Sequence, residues 1–180
     1  MKHRLLLLSL FISFTSKSIV IRHDKNENEY LTTFQSFPPL ATFYIDGAHG
    51  TLIETRWIVT AAHASFCIKP NNFVLVGDKT HLISNVYIHP QYTPGQSHDI
   101  ALVELTDAVT DIVPVKRYKG HNELGKNIWF IGIGGTGNGL TGQTIDNAAN
   151  NGVLRYAQNE VSAALGPLIK FVFDQGNDAL

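Results

Sequence analysis

The chain has 180 residues, 44% of them hydrophobic and 16% charged, with a formal net charge of -1. That length suits one ordinary globular unit or two small ones sharing a core, and the near-zero charge without a basic stripe argues against nucleic-acid binding. A single cysteine, Cys67, excludes an internal disulfide, and with no partner in view it reads as a small, half-buried apolar residue.

The amino end reads as a secretory signal over residues 1–18. Lys2, His3 and Arg4 supply the positive start, Leu5 to Phe14 the apolar run, and Ser16 and Ser18 the small residues before a cleavage at Ile19. The apolar run is too short to cross a bilayer core of roughly 30 Å, so no membrane span is expected after its removal and the location is secreted or periplasmic. Ile19 to Tyr30 is polar and charged and reads as an arm or loop, punctuated by Phe37-Pro38-Pro39-Leu40.

Ala41 to Ile45 is a short strand-like run ending at the turn pair Asp46-Gly47. Trp57-Ile58-Val59 makes a stronger strand of bulky and β-branched residues. The small Thr60-Ala61-Ala62 then lets the chain turn tightly, presenting His63 at the end of a buried strand. A histidine held there suits a general base, because its ordinary pKa lies near neutrality. Beyond the Asn71-Asn72 turn come strands at Phe73 to Val76 and His81 to His89, with Gly77-Asp78 between them and a Thr93-Pro94-Gly95 loop after. His98-Asp99-Ile100-Ala101-Leu102-Val103-Glu104-Leu105 places a carboxylate at the opening of another apolar strand. Asn127 to Ile133 is a strong strand, and Arg155 to Val161 and Leu168 to Phe173 are weaker ones. Asn138 to Asn151, rich in Gly, Asn and Thr, reads as a long surface loop. Short strands at intervals of roughly ten residues, with no long helical period, predict an all-β sandwich or barrel.

Two other chemistries are weighed and set aside. Gly132 to Gly137 fits G-x-G-x-x-G after a strand, but the Gly, Asn and Thr that follow cannot open the helix a pyrophosphate needs. His81 and His89 share one face of a strand yet lie about 26 Å apart at strand rise, and no zinc-ligand spacing accompanies them.

Four segments fall in a telling order: His49-Gly50-Thr51-Leu52-Ile53, Trp57 to His63 with T-A-A-H, Ile88-His89-Pro90-Gln91-Tyr92, and His98 to Leu105 with D-I-A-L. Together they resemble the trypsin/chymotrypsin-like serine peptidases. The resemblance implies an all-β, two-barrel fold: a first barrel over residues 19–114 with His63 and Asp99, a crossing at Val113-Pro114-Val115, and a partial second barrel over 115–180. It implies a secreted serine-type endopeptidase acting on protein or peptide substrates through an acyl-enzyme, with no cofactor and no metal. His63 would be the general base and Asp99 its orienting carboxylate, buried at the mouth of its strand. His89 and His98 carry no role in it and should face solvent or stand behind the pair. The oligomeric state is not implied.

The departures matter as much. The cysteine that such proteins usually carry after the histidine is Ala64 here, and its bridging partner falls at Ala48-His49. A free Ile19 amine would have an aspartate to pair with in the family, just before the nucleophile, and that aspartate is absent. Phe130 to Gly137 resembles the G-W-G-x-T strand and turn, and Phe173 to Asp178 the approach to the specificity pocket. The nucleophile motif G-D-S-G-G does not follow. After Asp99 the only serine is Ser162, without the flanking glycines that bring main-chain N–H groups to an oxyanion. The expectation is a chain truncated before its nucleophile, inactive as it stands, with edge strands left open. The alternative is a catalytically inactive relative that binds partners or has no function alone.

Overall fold

The computed structural model describes residues 20–44, 48–150, 152–166 and 168–173. The signal read over residues 1–18, the turn at Asp46-Gly47, the environment of the Cys67 side chain and the segment after Phe173 lie outside the described residues. The first half carries β1 (Val20–Ile21), β2 (Leu40–Tyr44), β3 (Ala48–Glu54), β4 (Trp57–Thr60), β5 (Phe73–Val76), β6 (Lys79–Ile88) and β7 (Ala101–Leu105).

Burial alternates along these strands as a one-sided sheet requires. Ile58 and Thr60 point inward from β4, Val74 and Val76 from β5, and Ala101, Val103 and Leu105 from β7. A sheet with one apolar face must cover it, and this one does so by closing on itself in the order β2-β3-β4-β7-β6-β5. The closing seam is β2 on β5, with Ala41 opposite Val76 and Thr42 opposite Leu75. Leu52, Ile58, Val76, Val103 and Leu105 are fully buried inside, and each such side chain contributes about 1.5–3 kcal/mol relative to exposure. Closure also removes the free edges that a small open sheet would expose.

The second half is built differently. β8 (Asn127–Gly132) pairs antiparallel with β11 (Arg155–Glu160), β9 (Thr136–Asn138) lies between β1 and β10 (Gly142–Ile145), and β12 (Ala163–Leu165) forms a hairpin with β13 (Leu168–Lys170). Among the described residues these sheets do not join into a closed barrel, and Trp129, Leu165, Leu168, Ile169 and Val172 stay exposed. The fold is thus all-β, a complete first barrel followed by an incomplete second. Extended chain without regular structure links them, and the Val115 N–H donates to the Leu52 carbonyl at 3.0 Å on the way. A small apolar cluster of Leu40, Ile133 and Leu154, with Phe34, Phe37 and Ile131 against it, packs the arm, the barrel and the second half together.

Two segments carry more structure than their polarity predicts. Asn138 to Asn151 is not a bare loop: it contains β10 and a 3-10 turn at Asn147–Asn150. Glycine is the reason, because any Cβ at Gly137 would run into the main chain of Gly142 and Gln143, and without one the two strands can pair. The polar arm likewise holds β1 and a 3-10 turn at Glu27–Tyr30, started by a capping box between Asn26 and Glu29. Arg155, on β11, reaches back to that turn and donates to Glu27 Oε1 at 2.6 Å.

Gly50 on β3 is the tightest point of the barrel wall. A Cβ there would lie 2.6 Å from Ile58 Cγ2 and 2.8 Å from the Val59 carbonyl oxygen, which is main chain and cannot swing aside. Gly50→Ala is therefore expected to lower the unfolding free energy by about 1–3 kcal/mol, measured as a lower urea midpoint at unchanged slope.

Candidate active site

The register of β4 against β7 brings the two sequence-predicted site residues to one rim of the barrel. Thr60 lies opposite Ala101, so the chain leaving β4 and the chain entering β7 run side by side. His63 comes just after Thr60, and Asp99 just before Ala101. His63 is not at a strand end as expected: past Thr60 the chain winds into a 3-10 helix, Ala62–Cys67. The small Ala61 and Ala62 permit that winding, and Ala61 has no side chain to cap it.

Asp99 supplies what Ala61 lacks. Its Oδ1 accepts the main-chain N–H of His63 at 2.8 Å, and its Oδ2 lies 2.6 Å from His63 Nδ1. One carboxylate therefore caps the helix from the turn that leads into β7 and holds the imidazole carried on it. The turn that delivers it is tight. The Ile100 N–H donates to the His98 carbonyl at 2.8 Å, and His98 sits in the left-handed region at φ 54°.

Partial burial pushes the Asp99 carboxyl up, but the N–H groups of His63 and Ala62, the imidazole hydrogen bond and its charge together outweigh that and hold it below its ordinary 3.8. An ionised carboxylate can only accept, so the proton between the two groups belongs to Nδ1 of the ring. In the neutral form of the ring, Nε2 then keeps its lone pair. Asp99 is not buried at the mouth of its strand as expected: its side chain is 44% exposed and that of His63 68% exposed. Hydrogen bonds, rather than burial, fix this carboxylate.

The neighbouring histidines stack on each other, with ring centroids 4.6 Å apart at 19°. His89 Nδ1 accepts the Gln91 N–H at 3.2 Å, and His98 Nδ1 lies 3.0 Å from Ser97 Oγ. Ser162 is held in the second half, its hydroxyl donating to the Lys170 carbonyl at 3.2 Å. After Gly132 and Ile133 the chain enters β9, a strand, where a dinucleotide site would need a helix. Among the described residues no group of three or more His, Cys, Asp or Glu side chains is placed to hold a metal.

The structure brings His63 and Asp99 into contact, and the way they are held is not visible in the sequence. Neither the capping of His63 from 36 residues away nor the stacked His89 and His98 has a local signature, since both arise from the strand register.

The fold and site together define an all-β barrel protein with a histidine–carboxylate pair on the rim of its closed barrel. A Trypsin family profile matches residues 29–164, most of the chain. The chain belongs to the Trypsin family. Among solved structures it is similar to neuropsin, a serine protease expressed in the limbic system of mouse brain, with a TM-score of 0.58 and 22% identity over 74% of this chain. The likeness is one of fold, and the chain spans 64% of the length of the neuropsin chain.

Asp99 gives a graded test of its two duties. Asp99→Ala should cost about 1 kcal/mol of stability through the lost cap, whereas Asp99→Asn, which keeps an acceptor oxygen, should cost less. Because the folded carboxyl sits below its unfolded value, its contribution is present above about pH 4 and lost as pH falls through the folded pKa. Urea unfolding between pH 7 and pH 2.5 measures this, and the acid-side slope should shrink in both variants.

Proposed function

We propose that this chain provides the general base and orienting carboxylate of a secreted serine-type endopeptidase, hydrolysing peptide bonds in protein substrates through an acyl-enzyme. In this reading residues 1–18 are the leader, 19–114 the barrel unit bearing His63 and Asp99, and 115–180 the start of the second barrel. The observation that carries it is the Nδ1 to Asp99 Oδ2 contact at 2.6 Å, which fixes the ring's tautomer and leaves Nε2 open toward solvent.

Such a base takes the proton of a serine hydroxyl as its Oγ attacks the peptide carbonyl. Asp99 then stabilises the imidazolium, which returns the proton to the leaving amine, and water repeats the cycle to release the acyl group. Main-chain donors at the oxyanion would add about 3–4 kcal/mol of transition-state stabilisation. No Gly-Asp-Ser-Gly-Gly segment occurs within these 180 residues, so neither the nucleophile nor those donors are assigned to a residue here.

The second reading is an inactive relative that binds partners. It is favoured by Ser162, which lies just before the second-half hairpin with its hydroxyl donating to the Lys170 carbonyl and without flanking glycines.

Reading the encoding locus through the Leu180 codon, and expressing its whole open frame for fluorophosphonate labelling, separates the two. The peptidase reading expects one labelled serine, labelling abolished in His63→Ala, and turnover reduced about 10⁴-fold in Asp99→Asn. A folded product that takes no label overturns the peptidase reading.

A further inference from the structure

A second histidine, outside the His63–Asp99 pair, fastens the two halves of the chain together. His49 stands on β3 beside Gly50 and opposite Thr42 of β2. The main-chain N–H of Ile133, the residue after β8, donates to His49 Nε2 at 2.9 Å across 84 residues of sequence. On the other side of the ring, Nδ1 lies 3.2 Å from Thr42 Oγ1. A ring nitrogen that accepts an N–H carries no proton of its own, so the neutral ring must hold its proton on Nδ1. That proton faces Thr42 Oγ1 and the main chain of Ala41. The main-chain carbonyl of His49 accepts the Thr60 hydroxyl at 2.8 Å, which ties the same residue to the strand that leads into His63. The imidazole edge lies against Gly132 of β8, where an added Cβ would come within 3.5 Å of Cδ2.

We propose that His49 is an acid-sensitive latch: its neutral, Nδ1-protonated ring holds the Ile133 main chain, and with it β8, on the barrel, and protonation of Nε2 releases that joint. A protonated Nε2 would set one N–H against another at hydrogen-bond distance, with no acceptor for either. The groups facing the ring are Ala41 and Thr42 from β2 and Gly132 and Ile133 from the second half, all uncharged. Burial holds the imidazole below its ordinary 6.5, the Ala41 main chain partly opposes that, and no charged side chain contributes among the described residues. The sign follows from linkage. The folded ring binds its proton less readily than the unfolded one, so the joint is intact above the ordinary 6.5, weakens as pH drops below it and is lost as pH falls through the lower folded value. Nothing in this depends on the chain being a peptidase.

The test uses the isotope-labelled 180-residue chain. Long-range ¹H–¹⁵N spectra report the His49 tautomer and its titration, and amide exchange reports the protection factor of Ile133 between pH 8 and pH 4.5. The expected result is an unprotonated Nε2 at pH 8, a midpoint below 6.5, and Ile133 protection falling by about tenfold or more over the same range. His49→Gln, whose amide oxygen can accept from Ile133 and whose NH₂ can face Thr42 without titrating, should keep that protection at low pH. A proton on Nε2 at pH 8, a midpoint at or above the ordinary value, or equal acid loss of Ile133 protection in His49→Gln would each overturn the latch. The first two are read on the wild-type chain and do not require the variant to fold.

Discussion

The antiparallel register of β4 on β7 is the constraint from which the rest of the candidate site follows. Thr60 opposite Ala101 is compatible with inward-facing Ile58, Thr60, Ala101 and Val103, and a one-residue slip of either strand would turn its own inward pair outward. Apolar burial therefore sets the register, and the register sets which chain ends meet at the rim. His63 and Asp99 lie just beyond the paired residues, so they inherit their proximity from a hydrophobic core to which neither contributes. The closing seam between β2 and β5 makes that register stiff, because a closed barrel cannot let one strand pair slide without disturbing the others.

Within this frame Asp99 satisfies two needs with one group. A short helix that begins Ala61-Ala62 has donors and no local acceptor, and an imidazole on an exposed helix has no reason to keep one orientation. The carboxylate answers both through separate oxygens. That coupling means the geometry of the ring and the start of the helix stand or fall together, and it keeps the carboxyl ionised despite partial burial. A capping residue placed locally in the sequence could start the helix but could not hold the ring.

Most of the barrel was legible in the sequence because its strands alternate cleanly and are separated by Asn-Asn, Gly-Asp and Thr-Pro-Gly turns. The β5 strand was read residue for residue, and β6 was shifted only at its ends. The second half was harder for a physical reason. β9 and β10 are short and glycine-containing, and β9 is partnered by β1 from the far end of the chain, so no local periodicity announces them. The arm carries more order than its polarity predicts, because that order comes from a capping box and from Arg155, a partner 128 residues distant from Glu27. At the site, residue types revealed the pair through its resemblance to a known family, while its exposure and its cap depend on a three-dimensional turn through His98 that no residue pattern encodes.

The two halves differ in what holds them. Among the described residues the barrel has a continuous core of ten buried residues, whereas the joint to the second half includes a cluster of three buried apolar residues, main-chain pairing of the arm with β9 and Arg155, the Arg155–Glu27 pair and a hydrogen bond to a half-buried histidine. Local stability follows buried apolar contact, so the barrel is the firmer body and the second half the one more easily displaced. Both His63 and Asp99 belong to the firmer body. The histidine and its carboxylate partner are consequently brought together by the barrel alone, while anything that must meet His63 Nε2 from the side of the second half depends on a weaker, partly polar joint.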